Sequence, residues 1–150
     1  MAVSIKEVAL RTIELEAQSV SGLASFINSD FEKAVQAIAA AKGRVVVSGI
    51  GKSAVIAQKI VATFNSTGTP SIFMHAADAI HGDLGMIQQE DVVIIISKSG
   101  ESPEIKVLVP LIRNFGNILI GMVGSTKSYL AKNSTIILNT TVEQEACPNN

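Results

Sequence analysis

The chain has 150 residues, of which 47% are hydrophobic and 17% are charged, and its formal net charge is −1. This length suits one domain with a full core, and the near-neutral charge, without a basic run or an aromatic stacking set, argues against a nucleic-acid partner. No apolar run approaches the roughly 20 residues that span a membrane. The single Cys147 cannot form an internal disulfide, which is typical of a reducing compartment. We therefore expect a cytoplasmic protein with no membrane partner.

The first part of the chain has a helical pattern. Residues 3–27 carry apolar side chains at helical spacing and predict one or two helices. Asn28-Ser29-Asp30 interrupts the pattern, and Asp30 can serve as the N-cap of a further helix at about 31–41. Lys42-Gly43 is a suitable end for that helix.

Two strand–loop–helix units follow, and they share one pattern. In the first, Val45-Val46-Val47 predicts a buried strand, Ser48–Ser53 a glycine-rich loop, and the next residues a helix through about residue 66. In the second, strand 92–96 leads through the loop Ser97–Ser102 into a helix over 103–114. There Ser102 suits the N-cap, Pro103 the first helical position and Glu104 the first turn. Pro110 is expected to kink or split this helix.

The remaining segments complete the predicted fold. Strands are expected at 71–74, 118–123 and 135–138, with a mixed loop or short helix at 79–86, a short helix beginning at 125–128, and a final loop at 140–148. Buried strands that alternate with helices predict a three-layer α/β/α sandwich with a five-stranded parallel sheet, preceded by N-terminal helices.

Both Ser/Gly loops open onto a helix N-terminus, which is a pattern typical of anion binding. The first loop matches neither nucleotide motif, because a P-loop would need glycine at Val46 and the dinucleotide fingerprint would need glycine at Ala54. The ligand that the two loops suggest is therefore a phosphate without a nucleotide. The ammonium of Lys52 can bind that anion, or Lys52 can be a solvated surface lysine.

Two histidines, His75 and His81, follow the strand at 71–74. A single histidine is more often structural than catalytic, and two of them in a glycine-bearing loop after a strand leave the structural and the functional interpretations both open. Their spacing of six residues is not a standard zinc pair, and no third ligand stands nearby.

An ordered set of motifs gives a specific resemblance. From residue 43 onward the chain contains Ser-Gly-Ile-Gly-Lys-Ser, Ser-Thr-Gly-Thr-Pro-Ser, His-Gly-Asp-Leu-Gly-Met, Ser-Lys-Ser-Gly-Glu-Ser-Pro-Glu-Ile and Glu-Ala-Cys-Pro. Together they resemble the sugar isomerase (SIS) domain of D-arabinose-5-phosphate isomerases, which has a flavodoxin-like fold. The resemblance implies interconversion of D-ribulose 5-phosphate and D-arabinose 5-phosphate for synthesis of the lipopolysaccharide or capsule sugar Kdo. It also implies a homo-oligomer, either a dimer or a tetramer, with composite sites.

The resemblance assigns roles to individual residues. The catalytic positions of the family match Lys52, Glu104 and Glu145, and no cofactor is implied. His81 matches a substrate-binding histidine, and His75 a position that can hold both substrate and an inhibitory zinc ion. The remaining substrate-binding positions lie in the two loops and in one turn, and they are Ser48, Gly49, Gly51, Ser53, Gly68, Thr69, Ser97, Lys98, Ser99, Gly100 and Ser102.

The chain departs from the family pattern in two ways. Lys98 stands where many relatives have Asn or Gln, and its extra cation can tighten phosphate binding or alter selectivity. The chain ends at Asn150, where relatives continue with a last helix, a further catalytic histidine and often a pair of CBS domains. We therefore expect residues 1–150 to form one SIS domain that lacks its C-terminal part, without CBS domains.

The chemistry separates the two glutamates. An aldose–ketose isomerase moves a proton between C1 and C2 through an enediol, so it needs a carboxylate with a suitably poised pKa and a group that stabilises the enediolate. Glu104 begins a helix, where the dipole favours its charged form. Glu145 lies beside apolar Ala146 and Cys147, where burial would raise its pKa, and this favours Glu145 as the base. A phosphoheptose-type isomerase and a non-catalytic sugar-phosphate sensor remain as alternative functions.

Overall fold

The computed structural model describes residues 4–147, which form a parallel sheet of five strands. The strands are β1 (Val45–Gly49), β2 (Ser71–His75), β3 (Val92–Ser97), β4 (Ile118–Val123) and β5 (Ile136–Asn139). Their order across the sheet is β2-β1-β3-β4-β5, and every neighbouring pair is parallel. This is the flavodoxin-like order. The predicted α/β fold with a five-stranded parallel sheet is confirmed.

Six α-helices accompany the sheet within residues 4–147. They are α1 (Ile5–Gly22), α2 (Ser29–Ala39), α3 (Lys52–Ser66), α4 (Ala76–Ala79), α5 (Pro103–Phe115) and α6 (Tyr129–Asn133). Short 3₁₀ segments span Leu23–Phe26 and Asp83–Met86. None of these helices is long and apolar enough to cross a membrane.

The core consists of two apolar layers on opposite faces of the sheet. Val46, Val93 and Ile95 pack with α4, α5 and α6 on one face. The alternate residues of the same strands, such as Val45 and Val47, pack with α2 and α3 on the other. Because both faces are covered, β1 and β3 are buried along their whole length, which explains their uninterrupted β-branched runs.

The N-cap predicted for α2 is wrong by two residues. Asn28 is the cap, and its side-chain oxygen accepts hydrogen bonds from the N–H groups of Asp30 at 2.9 Å and Phe31 at 3.3 Å. Asp30 lies inside the first turn instead, where its carboxylate pairs with Lys33 at 3.0 Å and accepts from the N–H of Ile137 at 3.4 Å. That second contact comes from a residue distant in sequence, so the local pattern could not indicate it.

Of the two outcomes predicted at Pro110, a kink or a split, the split is wrong, because α5 continues through Pro110 as one helix. Proline removes the hydrogen bond that its N–H would make to the carbonyl four residues earlier, which is that of Lys106. Lys106 and Pro110 both lie on the exposed face of α5, so that carbonyl is open to water. The buried face, with Ile105, Leu108 and Ile112, holds the helix against the sheet.

Candidate functional site

The strand order places a topological switch point at the carboxyl edge of the sheet. β1 and β3 are neighbours, and the helices that follow them lie on opposite faces, α3 with the layer around Val45 and α5 with the layer around Val46. In open parallel sheets, ligands bind at such a switch point, outside the carboxyl ends of the strands. Both predicted Ser/Gly loops begin at this point.

The loop after β1 brings backbone and cation together. Ser48 is fully buried in β1, and Gly49 lies so close to α3 that a Cβ there would be 2.8 Å from the carbonyl carbon of Ser53. Gly51 has φ +58°, a conformation that favours glycine, and precedes Lys52, the first residue of α3. Lys52 is exposed at a helix N-terminus, where N–H groups lack intrahelical partners.

The loop after β3 is shaped by its own serines. The hydroxyl of Ser97 accepts a hydrogen bond from the N–H of Gly100 at 3.0 Å, and that of Ser99 accepts from the N–H of Glu101 at 3.3 Å. Each hydroxyl keeps its own hydrogen to donate to an anion. Gly100 has φ +64°, and a Cβ there would collide with the side chain of Ser128. Ser102 occupies the N-cap position of α5, as predicted, although its side chain makes no capping hydrogen bond.

Glu101 fixes this second loop and was not identified from the sequence. Its carboxylate accepts from the N–H of Tyr129 at 2.6 Å and pairs with Lys106 at 2.8 Å. The Lys106 hydrogen bond, and then the Tyr129 N–H, lower the pKa of Glu101 below its usual value. The N–H of Leu130 also donates to the carbonyl of Gly100 at 3.0 Å, so the loop is tied to α6. Only the location of Glu101 inside a glycine/serine loop could have drawn attention to it.

The two candidate glutamates have different surroundings. Glu104 lies partly buried in the first turn of α5, as predicted, and makes no ion pair with Lys52 within residues 4–147. Glu145 lies in the loop after β5 and forms an ion pair with Lys98, its side chain remaining 40% exposed. The burial expected for Glu145 is therefore wrong in this chain, because its carboxylate faces a cation and solvent.

The two histidines differ in how the sheet places them, since only His75 lies at the end of a strand. His75 ends β2 opposite Gly49 of β1, and its Nδ1 is 3.6 Å from a carboxylate oxygen of Asp78, which is too long for a hydrogen bond. His81 is exposed in the turn after α4. Gly68 and Thr69 precede β2 and lie at the opposite edge, roughly 20 Å from His75 at about 3.3 Å per strand residue. The structure thus brings the loops after β1 and β3 and His75 to one edge of the sheet and leaves Gly68 and Thr69 at the other.

The zinc role implied for His75 finds little support within this chain. Among residues 4–147, no group of three or more His, Cys, Asp or Glu side chains could hold a metal ion. His75 and Asp78 together offer two ligand groups, whereas protein zinc sites use three or four.

Several buried polar side-chain atoms have no hydrogen-bond partner in the part of the chain that the structure describes. Within residues 4–147, four buried side-chain atoms lack a hydrogen-bond partner, and three of them, Ser48 Oγ, His75 Nδ1 and Ser102 Oγ, lie at this carboxyl edge. Buried polar groups are normally satisfied, so orphaned ones that converge on two helix N-termini suit an anionic ligand that also carries hydroxyl groups.

Comparison with known proteins agrees with this geometry. The chain is 51% identical over 142 residues to the arabinose 5-phosphate isomerase KdsD of Pseudomonas aeruginosa, covering 95% of this chain and 44% of that protein. It is 44% identical over 146 residues to the KdsD of Yersinia pestis, covering 97% of this chain and 44% of that protein. It therefore spans less than half the length of these curated relatives.

A solved structure gives the same picture. The Escherichia coli CFT073 protein c3406, solved in complex with arabinose 5-phosphate, superposes with a TM-score of 0.84 and 36% identity, covering 98% of this chain and 80% of that one. Residues 37–149 match the family model for the SIS domain. This match covers most of the chain, which therefore belongs to the SIS domain family.

Proposed function

We propose that this chain is the SIS domain of an aldose–ketose isomerase that interconverts D-ribulose 5-phosphate and D-arabinose 5-phosphate. The observation that carries the proposal is the set of unpartnered atoms on Ser48, His75 and Ser102 at the two loops. Its support from relatives is the 51% identity to an arabinose 5-phosphate isomerase and the structural match to a protein solved with arabinose 5-phosphate.

The phosphate serves as a remote handle in this proposal. The N-termini of α3 and α5 and the hydroxyls of Ser97, Ser99 and Ser102 bind it, and this binding energy positions C1 and C2 for reaction. His75 at the end of β2 and His81 after α4 contact sugar hydroxyls in this proposal. Free D-arabinose should therefore bind far more weakly than its 5-phosphate.

In this proposal, the glutamate carboxylates carry out the proton transfer. One glutamate removes a proton from one of the two reacting carbons and returns it to the other, while the Lys52 ammonium stabilises the enediolate oxygen. These steps need only side chains, so the proposal includes no metal or organic cofactor. Glu145 remains our choice as base, although its exposure removes the argument from burial; Glu104 then contacts a sugar hydroxyl or Lys52.

We also propose that the working protein is a homo-oligomer with composite sites. α1 buries none of its residues, yet exposes Ile5, Leu10, Ile13 and Val20. Gly68 and Thr69 lie at the wrong edge for the site of their own chain, so they can join a substrate site only through another copy. A cytoplasmic location and a place in Kdo synthesis stay predictions.

Isomerisation in heavy water is the decisive experiment. The protein is incubated with D-ribulose 5-phosphate in D₂O, the sugars are separated by chromatography, and deuterium at C1 and C2 is measured. We expect D-arabinose 5-phosphate carrying deuterium. Glu145→Gln should abolish deuterium incorporation with binding retained, whereas Glu104→Gln should slow turnover but keep some exchange. Near-normal exchange in Glu145→Gln would make Glu104 the base.

The same assay separates the alternatives. A phosphoheptose-type isomerase would convert seven-carbon sugar phosphates in preference to five-carbon ones. A non-catalytic sensor would bind D-arabinose 5-phosphate without converting it or exchanging its protons, and the Glu145→Gln variant would then behave as the parent protein does.

A further inference from the structure

Lys98 and Glu145 form an ion pair. It links the loop Ser97–Ser102, where the proposed phosphate binds, to the loop that follows β5. The ion pair joins residues 47 positions apart in sequence, and both partners are accessible to water, with Lys98 71% exposed and Glu145 40% exposed. Exposed pairs of this kind contribute little to stability and are held weakly. A ligand that binds the Lys98 ammonium more strongly than the Glu145 carboxylate does can therefore displace that carboxylate.

The backbone of Lys98 is tied to the start of the loop that carries Glu145. The N–H of Gly124 donates to the carbonyl of Lys98 at 3.0 Å, and the Thr141 hydroxyl donates to the carbonyl of Gly124 at 2.9 Å. A Cβ on Gly124 would lie 2.9 Å from the Lys98 carbonyl oxygen and 3.1 Å from its Cγ. The two loops are thus joined through Gly124, directly after β4, and the exposed Lys98 ammonium lies at the end of a long side chain whose backbone is held.

The position of Lys98 in the chain brings its ammonium near a second anion, the proposed phosphate. Lys98 stands between Ser97 and Ser99 in the loop that leads into α5, where the proposed phosphate binds. Glu145 lines a cavity of about 440 Å³ together with Lys98 and residues 142–144. A phosphate dianion carries more charge and more acceptor oxygens than one carboxylate, so it competes effectively for the same ammonium.

We propose that Lys98 is shared between Glu145 and the phosphate of the substrate, so that phosphate binding releases the Glu145 carboxylate. Without ligand, the ammonium neutralises Glu145 and holds it over the loop. With ligand, the ammonium turns to the phosphate, and the carboxylate is left free to act on the sugar carbons. Lys98 is then a positioning residue, and this role rests on the proposed phosphate site.

A double-mutant cycle on binding of inorganic phosphate tests the sharing without any turnover. Calorimetry at constant ionic strength is carried out on the parent protein, Lys98→Gln, Glu145→Gln and the double variant. We expect Glu145→Gln to bind phosphate roughly 3–10-fold more tightly, because it frees the ammonium, and Lys98→Gln to bind it more weakly by a similar factor. In the Lys98→Gln background, the Glu145→Gln change should have no effect.

A matched control removes a positive charge elsewhere at the same edge. Lys127 is exposed in the loop after β4 and makes no ion pair within residues 4–147. Lys127→Gln should change phosphate affinity by less than about twofold, as expected for a solvent-screened charge. An equal loss in Lys127→Gln and Lys98→Gln would mean that only net charge matters, and would overturn the proposal.

Two further outcomes would also overturn the proposal. If Glu145→Gln tightens phosphate binding by the same factor with and without Lys98, Glu145 repels the anion directly and the sharing is refuted. Undetectable phosphate binding by the parent protein at millimolar concentrations also refutes it. If the protein isomerises the sugar phosphate but the double-mutant cycle shows no coupling between Lys98 and Glu145, the proposed function holds and this inference fails. If the cycle shows the coupling but the protein does not isomerise the sugar phosphate, this inference holds and the proposed function fails.

Discussion

The carboxylate of Glu101 accepts a hydrogen bond from the backbone N–H of Tyr129 at 2.6 Å, across 28 residues of sequence. Its other oxygen pairs with Lys106 at 2.8 Å. The first contact ties the loop Ser97–Ser102 to the start of α6 and the second ties it to α5, and the ion pair with Lys106 requires the ionised carboxylate. Glu101 therefore couples the order of the proposed site to pH.

The first prediction concerns this pH dependence. The pKa of Glu101 is lowered in the folded protein, chiefly by Lys106 and then by the Tyr129 N–H. A lowered folded-state pKa means that the contribution to stability is complete above the ordinary value of 4.5 and is lost as pH falls through the folded-state pKa. We expect Glu101→Gln to lower Tm at neutral pH, with the difference disappearing as the pH falls below 4.5.

Lys106→Met provides the comparison, because it removes the largest cause of the shift. It should lower Tm in the same direction as Glu101→Gln, and any difference that is left between the two variants belongs to the Tyr129 N–H. A difference between Glu101→Gln and the parent protein that persists unchanged at low pH would show that the carboxylate charge is not what holds the loop.

The sequence predicts most of the elements but few of the contacts that join them. The strands at 45–47 and 92–96 are predictable because strands buried on both faces need continuous β-branched runs. The strand order is not, since it depends on which sheet face each helix covers. The local pattern at the start of α2 does not separate Asp30 from Asn28, because both are good capping residues, and the contact of Asp30 with the distant N–H of Ile137 is not visible in it.

In the candidate site, too, features with a local sequence pattern are predictable, whereas contacts between distant residues are not. Its loops are predictable because glycine, serine and a helix start form a local pattern, as at Ser97–Ser102. Glu101 and the Lys98–Glu145 pair are not, because their partners come from other strands' loops. The exposure of Glu145 likewise depends on the path of the last loop, which the neighbouring Ala146 and Cys147 do not determine.

The second prediction compares two glycines with positive φ. Gly100 has φ +64° and is crowded by Ser128, whereas Gly116 has φ +79° and nothing within 4 Å of an added Cβ. Gly116→Ala should cost about 1 kcal/mol in the free energy of unfolding, the strain of a left-handed alanine. Gly100→Ala should cost clearly more and weaken phosphate binding, because the loop must move away from Ser128. Equal costs by urea denaturation would contradict the crowding.

The third prediction concerns the amino edge of the sheet. Asp91 is 3% exposed and accepts from the N–H of Arg44 at 2.7 Å and the N–H of Gln88 at 2.9 Å. Asp91→Ala should lower the free energy of unfolding by about 3–5 kcal/mol, since it leaves buried donors and a charge without their partner. Lys33→Ala breaks an exposed pair instead and should cost less than about 1 kcal/mol. Denaturant titration of both variants measures the difference.

The fourth prediction tests the proposed oligomer through α1. Ile13 is 63% exposed on a helix that buries none of its residues. If α1 packs against another copy, Ile13→Glu places a charge in that interface and should lower the assembly mass measured by light scattering. Gln18→Glu adds the same charge to a polar position of α1 and should leave the mass unchanged. A single-chain mass for the parent protein would refute the composite site.

The last prediction uses the buried hydroxyl of Ser48, which is fully buried and has no hydrogen-bond partner within residues 4–147. An unsatisfied buried hydroxyl costs free energy in the empty protein, so Ser48→Ala should leave the free energy of unfolding unchanged or raise it by up to about 1 kcal/mol. The same change should weaken D-arabinose 5-phosphate binding by roughly 3–10-fold, if the ligand supplies the missing partner.

Ser128 is the matched control, because its substitution should affect stability more and ligand affinity less than the substitution of Ser48 does. It is also buried, but its hydroxyl accepts from the N–H of Ala131 at 3.3 Å as the N-cap of α6. Ser128→Ala should therefore cost about 1 kcal/mol of stability and change ligand affinity less than Ser48→Ala does. Denaturation and calorimetry on the two variants give four values. If Ser48→Ala destabilises the fold while affinity stays constant, that hydroxyl serves the structure and the ligand must bind elsewhere.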